Sequence, residues 1–298
     1  MLDFRIDTFL AVCECMNYTK AAEMLNVTQP AVSQHIRWIE QQYGVQLFVY
    51  EGKRLYLTPQ GQMLKTAAIT LKHDQLHLQR CLTESAQQLP NLNFGVTPTV
   101  GMYLLPKPLA NYHKQFPDAD VKVRMTNTHT LCKALDNGEL DFAIVEGYFH
   151  KNDYDSLLYK TEPYLAVCAA DYTFEKEPHC LSDLQNETLL VREVGSGNRE
   201  ILQRTLSRQN LSLDDFSCRM ELGDMNLLKE LLLEGCGIAF LYEAAVKREL
   251  QQGLVRQIHL EDFVESHDIS FIWRKNSIFA DHYQQLHQIL SPIEPSLP

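Results

Sequence analysis

Residues 19–58 read TKAAEMLNVTQPAVSQHIRWIEQQYGVQLFVYEGKRLYLT. The stretch divides into two short helices joined by a tight turn, then a small hairpin. Thr19 is suited to cap the first helix, whose inner face is Ala21, Ala22 and Leu25. Asn26 and Val27 make the turn. Thr28 caps the second helix, with Pro30 in its first turn, where a missing N–H costs little. Val32, Ile36, Ile39 and Tyr43 follow at helical spacing and should point inward. Gln29, Ser33, Gln34 and Arg37 then share the outer face. Short polar side chains and one Arg suit a helix that enters a major groove, because they bond base edges and phosphates without steric clash. Spacing alone fits an ordinary helical hairpin with a solvated face equally well. Around this stretch, Ile6, Phe9, Leu10 and Cys13 mark a supporting helix over residues 5–16, and residues 47–50 and 54–57 read as strands flanking a turn at Glu51-Gly52.

The chain has 298 residues, enough for two domains or for one small domain and a larger two-lobed one. Its 45% hydrophobic and 22% charged content is that of a globular chain able to bury a core. No apolar run is long enough to cross a bilayer. The opening MLDFRID is acidic and poor in apolar residues, unlike a signal peptide, so the expected location is cytoplasmic with no membrane partner. Eight cysteines include no C-x-x-C pair, which argues against zinc ribbons and thioredoxin-like chemistry. Cys13 and Cys15 fall on different sides of one helix, and Cys168, Cys180, Cys218 and Cys236 read as small buried hydrophobes. The net charge of −11 resides in the C-terminal part: residues 1–60 hold five Lys and Arg against six Asp and Glu. Such a near-neutral segment reads phosphate weakly, so specific DNA binding would need several copies on one duplex.

Thr58-Pro59 reads as a cap followed by Pro at the first helical position. The helix it opens carries Leu64, Ala68, Leu71, Gln75, Leu78, Leu82 and Leu89 at alternating spacings of three and four, extended by Ser85. This is a heptad seam whose Gln75 would fix register, and it favours a dimerising helix over one packed on its own domain. His73 and His77 would flank the seam in solvent, with no third metal ligand at suitable spacing. From Asn91 short apolar runs alternate with helical segments. The runs are Leu92–Val96, Val121–Met125, Phe142–Val145, Tyr164–Ala169, Leu189–Val191, Ile238–Leu241 and Ile269–Trp273, with helices to about Phe116 and near Leu131–Asp136. Strands interleaved with helices indicate an α/β fold on a mostly parallel sheet, in two sheet groups divided near Glu162.

Taken together, Ala21-Ala22, Leu25, Gln29-Pro30-Ala31-Val32-Ser33, Ile36, Ile39-Glu40, Gly44, Leu47-Phe48, Leu57-Thr58-Pro59 and Gly61 resemble the N-terminal signature of the LysR-type transcriptional regulators. The departures are Thr28 where Ser is usual and Tyr50 where an Arg is usual. The resemblance implies a winged helix-turn-helix over residues 1–60 with Gln29–Gln42 as recognition helix, a linker helix over 61–90, and an effector domain over 91–298. It further implies that the effector domain is similar to periplasmic binding proteins, with a ligand between two lobes. Lobe one would comprise about residues 91–162 and 267–298, and lobe two about 163–266. The implied DNA contacts are Thr28, Gln29, Pro30, Ser33, Gln34 and Arg37, with Lys53 and Arg54 of the wing meeting phosphate. The implied partners are double-stranded DNA with dyad symmetry, a small-molecule effector and further copies of the chain as homodimer or homotetramer. Contact with RNA polymerase is left open.

Ligands of open α/β sheets bind outside the carboxyl ends of strands, which singles out three loops. Thr97-Pro98-Thr99-Val100-Gly101 offers hydroxyls at a helix start, and Thr126-Asn127-Thr128-His129 follows the next strand. Arg192-Glu193-Val194-Gly195-Ser196-Gly197-Asn198-Arg199 resembles an R-E-x-G-S-G-T-R segment that borders the effector cleft in a subset of the family, with Asn198 in place of Thr. Each loop alone is explicable as a cap or turn; three at strand ends favour a shared site. The expected effector contacts are Thr97, Thr99, Val100, Asn127, Thr128, Gly195, Ser196 and Asn198, with Glu146 and Tyr242 at the ends of two strands shaping selectivity. Tyr242 stands where the family often has Pro. Hydroxyls and amides without a surplus of aromatics suit a small oxyanion or carboxylate. There is no nucleophile elbow, phosphate-loop Lys or H-E-x-x-H, so no catalytic residue, cofactor or metal is expected. The rival readings are a redox-responsive regulator of the same family, a solute-binding module without gene control, and a sequence-tolerant structural DNA binder.

Overall fold

Helix α1 (Phe4–Cys15), α2 (Tyr18–Leu25) and α3 (Gln29–Tyr43) precede a hairpin of β1 (Phe48–Glu51) and β2 (Arg54–Leu57), and the long helix α4 (Pro59–Thr83) follows. This computed structural model describes residues 3–83 and 91–292. Asn26 closes α2 with a left-handed backbone at φ 55°, a conformation Asn tolerates, and Thr28 Oγ1 accepts from the Ala31 N–H to cap α3. Phe9, Val12, Ala21, Ala22, Val32, Ile36, Ile39, Leu47 and Leu55 bury together, and Leu25 packs against them. Each large side chain so buried contributes about 1.5–3 kcal/mol. Gly52, at φ 63°, makes the hairpin turn.

Two expectations in this part are corrected. The cap of α2 is Asn17, whose Oδ1 accepts from the N–H groups of Thr19 and Lys20 at 2.8 and 3.0 Å; Thr19 is already inside the helix. Tyr43 is 61% exposed. It occupies the last position of α3, and the chain turns away at Gly44 while Glu40 Oε1 accepts from the Leu47 N–H at 2.8 Å, so the core is closed before Tyr43 is reached.

Thr58 Oγ1 accepts from the Gly61 N–H at 3.0 Å and donates to the Gln46 carbonyl at 2.7 Å, which starts α4 with Pro59 in its first turn. Two compact units divide the chain. One is Met1–Gln87 with Asp136–Glu139 and Arg274–Phe279, and the other comprises Gln88–Leu135, Leu140–Trp273 and Ala280–Pro298. Within the first, α4 buries one face on Arg274–Phe279. Asp74 accepts from Ser277 Oγ at 2.6 Å and from the Ile278 N–H at 2.9 Å, and the His77 ring lies 4.3 Å from that of Phe279. His73 and His77 are buried, against the expectation of exposed flanks, because their neighbours are distant in sequence: Gly138 lies against His73 and Phe279 against His77. On the seam, Leu71, Leu78 and Leu82 are 52%, 43% and 66% exposed, while Ala68 is buried. Ser85 and Leu89 lie outside the described residues.

The second unit holds β3 (Leu92–Val96), α5 (Pro106–Gln115), β4 (Val121–Met125), α6 (Thr128–Asp136), β5 (Phe142–Val145), β6 (Tyr154–Ala169), β7 (Thr188–Arg192), α7 (Gly197–Arg208), β8 (Cys218–Leu222), α8 (Met225–Leu233), β9 (Ile238–Tyr242), α9 (Glu243–Gln251), β10 (Val255–Gln257), β11 (Glu265–Arg274) and α10 (Ala280–Leu290), apart from the few terminal residues of α6 and β11 that belong to the first. The sheet order is β4-β3-β5-β11-β6-β9-β7-β8, with β10 on β6. β3 pairs in parallel with β4 and β5, and β7 in parallel with β8 and β9. The long β6 and β11 run antiparallel to β9 and β5 and join what the sequence suggested as two sheet groups into one hydrogen-bonded path. Cys168 is buried as expected, but Cys218 and Cys236 are exposed: Cys218 starts an edge strand and Cys236 lies in the turn before β9. No described helix is long and apolar enough to cross a membrane.

The Asn17 cap satisfies two helix-end N–H groups, so Asn17→Ala should cost about 1 kcal/mol in urea unfolding of the full chain, whereas Thr19→Ala should cost less than half of that.

Candidate functional site

The outer face of α3 is open. Gln29, Pro30, Ser33, Gln34 and Arg37 line one shallow depression together with Trp38 and Gln41. Gln29 Nε2 donates to Ser33 Oγ at 2.8 Å, which orients both side chains on the first turns of the helix. Thr28 is exposed at the helix start, and Lys53 and Arg54 are exposed on the hairpin turn. The sequence reading passed over Trp38, which is half exposed and carries the Arg5 guanidinium 3.9 Å above its ring, with Asp3 holding Arg5 at 2.7 Å. Its signal was a large aromatic on the polar side of an amphipathic helix. This face presents donors and one free-standing cation, Arg37, to whatever lies outside it.

In the second unit the three expected loops come together at strand ends. Thr128 Oγ1 donates to the Glu146 carbonyl at 2.7 Å, the His129 N–H to the Gly195 carbonyl at 3.4 Å, and Asn127 Nδ2 to Glu193 Oε1 at 3.3 Å. Gly195 (φ 92°) and Gly147 (φ 83°) hold conformations that favour glycine. A Cβ on Gly197 would collide with the backbone of Glu146 and approach Thr128 Oγ1, so α7 starts in direct backbone contact with the end of β5. Ser196 sits at the N-cap position of α7 but its hydroxyl makes no cap bond, leaving it for another partner. The first loop enters through the Thr97 N–H, which donates to the Ile144 carbonyl at 3.2 Å, and continues as a short π-helical turn, Val100–Leu104.

Thr97, Thr99, Val100, Thr128, Glu146, Ser196, Asn198 and Tyr242 are all buried here, and Asn127 and Gly195 are half-buried. The hydroxyl of Thr128 and the amide of Asn127 are already bonded within the protein, so those two hold loops in place. Others lack a well-formed partner: Thr97 Oγ1, Thr99 Oγ1, Glu146 Oε2, Asn198 Nδ2, Tyr242 Oη and Arg192 Nη1. Arg192 and Tyr164 join the site although the sequence reading did not select them. Arg192 ends β7 fully buried, with Nε and Nη2 bonded to Glu193 at 2.8 and 3.1 Å. Tyr164 donates to the Asn198 carbonyl at 3.0 Å and its ring lies 5.3 Å from that of Tyr242. Burial pushes the Glu146 carboxyl up to about 7, offset in part by the nearby Thr99 hydroxyl and the Arg192 charge. Burial, then the Glu146 charge, lifts the phenols of Tyr164 and Tyr242 well above the usual tyrosine range. Buried polar atoms without partners cost about 1–3 kcal/mol each, which makes the six at these strand ends the candidate site of the second unit.

Residues 5–62 match the bacterial regulatory helix-turn-helix protein family of lysR type, and residues 85–291 match the LysR substrate binding domain. The regulator CysL of Bacillus subtilis is 28% identical over 276 residues, covering 90% of this chain and 89% of its own length. The uncharacterized regulator YeiE of Escherichia coli is 27% identical over 85% of each chain. Full-length BenM matches at a TM-score of 0.55 with 20% identity over 100% of both chains. The Synechocystis CcmR regulatory domain in complex with 2-PG matches at 0.60 with 20% identity, covering 67% of this chain and 95% of that one. A peroxide-bound mutant of Corynebacterium glutamicum OxyR matches at 0.60 with 21% identity, over 96% and 90%. These structures share the fold. With a helix-turn-helix whose outer face is open and an α/β domain whose strand ends gather unpartnered polar groups, both under family matches, the chain belongs to the LysR family and is a DNA-binding transcriptional regulator, not an enzyme.

Proposed function

We propose that this regulator answers to a small oxyanion or carboxylate metabolite held at the strand ends of the effector domain. The observation that carries the reading is the set of buried donors without protein partners, Asn198 Nδ2, Arg192 Nη1 and the hydroxyls of Thr97 and Tyr242, with the Thr99 hydroxyl beside the Glu146 carboxyl. Donors fixed in a dehydrated site favour a ligand rich in acceptors. The domains that support this are residues 1–60 for DNA, 61–90 as linker, and 91–298 for the effector in two lobes. Subunits pair through the exposed Leu71, Leu78 and Leu82 of α4, since an apolar row at heptad spacing buries against its own copy. Each α3 reads a half-site of a dyad, with Gln29, Ser33 and Arg37 at base edges and Lys53 and Arg54 on phosphate. Effector binding shifts populations of lobe arrangements by differential affinity, and thereby the spacing of the DNA-reading heads.

Arg37→Ala should weaken binding to a specific operator by about 1–3 kcal/mol with sequence preference relaxed, while Lys53→Ala should weaken all duplexes alike and flatten the salt dependence. Fluorescence anisotropy at several salt concentrations separates the two, and an Arg37 variant with unchanged operator affinity would remove α3 from the groove. For the effector, a thermal-shift screen of the full chain against small anions, amino acids and dicarboxylates is the first measurement. A ligand at ~100 times its dissociation constant adds about 2.7 kcal/mol of stability. Ser196→Ala and Thr99→Ala should each reduce the shift while operator binding persists; normal shifts in both would place the effector elsewhere.

Stability without ligand should also carry the imprint of Glu146. Below the ordinary carboxyl value of 4.5 the group is protonated folded or unfolded. Between there and about 7 only the unfolded chain releases the proton, so stability falls with rising pH by about 1.4 kcal/mol per pH unit, about 3 kcal/mol in all. Glu146→Gln should remove this component, giving a variant more stable than wild type at about pH 8 and equal to it below about pH 4.5 in urea unfolding.

A further inference from the structure

The unpartnered buried atoms around Glu146 differ in kind. Asn198 Nδ2 and Arg192 Nη1 only donate, and the hydroxyls of Thr97, Thr99 and Tyr242 are able to. Glu146 Oε2 alone becomes an obligate acceptor when its carboxyl ionises. Asn198, the most exposed of these six residues, is 3% exposed, so water screens none of them. The charged and titratable groups facing the carboxyl are Arg192 and Glu193 at the end of β7, Tyr164 on β6 and Tyr242 on β9. Arg192 is the cation among them, and its Nε and Nη2 are taken by Glu193. An oxyanion placed among these donors meets a second negative charge if Glu146 is ionised, and two like charges in a dehydrated site do not both persist.

Building on the oxyanion reading above, we propose that the site takes its ligand together with one proton, shared between an oxygen of the oxyanion and the Glu146 carboxyl. The site therefore prefers oxyanions that carry a proton near neutrality over those that carry none. Hydrogen phosphate brings the proton and donates it to the Glu146 carboxylate as a hydrogen bond. Sulfate brings none, so it binds only to the fraction of molecules whose Glu146 is protonated. The two complexes contain the same number of protons and differ only in where the proton came from. Burial, which moves the Glu146 carboxyl into the neutral range, makes that fraction fall steeply just above pH 7.

Isothermal titration calorimetry of the full chain with sodium phosphate and with sodium sulfate, from about pH 6 to about pH 8.5, tests this. In wild type the sulfate dissociation constant should rise about tenfold per pH unit above about pH 7, and its binding enthalpy should vary with the ionisation enthalpy of the buffer as one proton is taken up. Phosphate affinity should stay nearly level over the same range, because hydrogen phosphate predominates there. In Glu146→Gln the sulfate slope should vanish and the preference for phosphate at the alkaline end should shrink by about tenfold or more. Wild-type sulfate binding that is level with pH, or a Glu146→Gln chain that keeps the slope, would overturn proton sharing and leave the oxyanion site standing. Silence of both anions in both chains would overturn the oxyanion site itself. Should Glu146→Gln fail to fold, the wild-type slope and buffer dependence decide alone.

Discussion

The contact on which the effector domain depends is between backbones. Gly197, the first residue of α7, lies against Glu146 and Gly147, and a side chain at 197 would collide with the Glu146 carbonyl. Gly147 meets it with a positive φ and with no room for a side chain of its own. This one approach brings the end of β5 beside the start of α7, about fifty residues further on. The remaining arrangement follows from it: Thr128 ties to the same carbonyl, Asn198 comes within reach of Tyr164, and Glu146 is sealed from water. Two glycines thus act by absence, and what they admit is a carboxyl in a dry place.

A protein maintains such a place only against a large favourable balance elsewhere. Unpartnered buried donors and a carboxyl pushed to about 7 each reduce stability. The offset is visible on both faces of the sheet. Leu189, Val191, Ile201, Leu206, Ile238 and Phe240 bury on one face, and Leu190, Leu228, Leu232, Ala239 and Leu241 on the other. β7 and β9 contribute alternate residues to both clusters, as central strands of a sheet covered on two sides do. Two strands buried on both faces therefore end in unsatisfied groups, β7 in Arg192 and β9 in Tyr242. Local cost thus sits on strands that the core holds on both faces, where it is well tolerated.

Legibility from sequence followed the range of the interactions. The helix-turn-helix was readable because its caps, turn and inner face lie within forty residues of one another, and its two errors were local: Asn17 instead of Thr19 as cap, and Tyr43 one turn beyond the core. The strands β3 and β5 were readable as apolar runs, and the edge strand β4 as alternating Val121, Val123 and Met125; all three begin and end where the runs do. The edge strand β8 was not, because CRMEL faces solvent over most of its length. The first half of β6 was missed because it alternates polar and apolar residues among charges. The three loops were legible as strand ends, yet the involvement of Arg192 and Tyr164 was not, since nothing in sequence says which donor will be left without a partner. The burial of His73 and His77 needed neighbours far along the chain, Gly138 and Phe279, and had no local trace.

The two halves of the regulator also differ in how they hold energy. Residues 1–60 are nearly neutral in sum, and such a segment attracts phosphate weakly, so on the proposed reading affinity would depend on how many copies engage one duplex and at what spacing. Under the proposed function a small ligand reaches that spacing only indirectly, through the arrangement of the domain that binds it. The strand ends of the second unit hold buried polar atoms without partners, which a ligand of the right chemistry would convert into binding energy if the proposed site is occupied. An allosteric coupling of about 1–3 kcal/mol is the usual scale, comparable to satisfying one or two buried donors. A site with several such donors can therefore bias a two-state arrangement with a ligand of only a few atoms. It can do so only if the donors are satisfied unequally in the two states, a requirement that the proposed site at loops 126–129, 146–147 and 193–198 would have to meet.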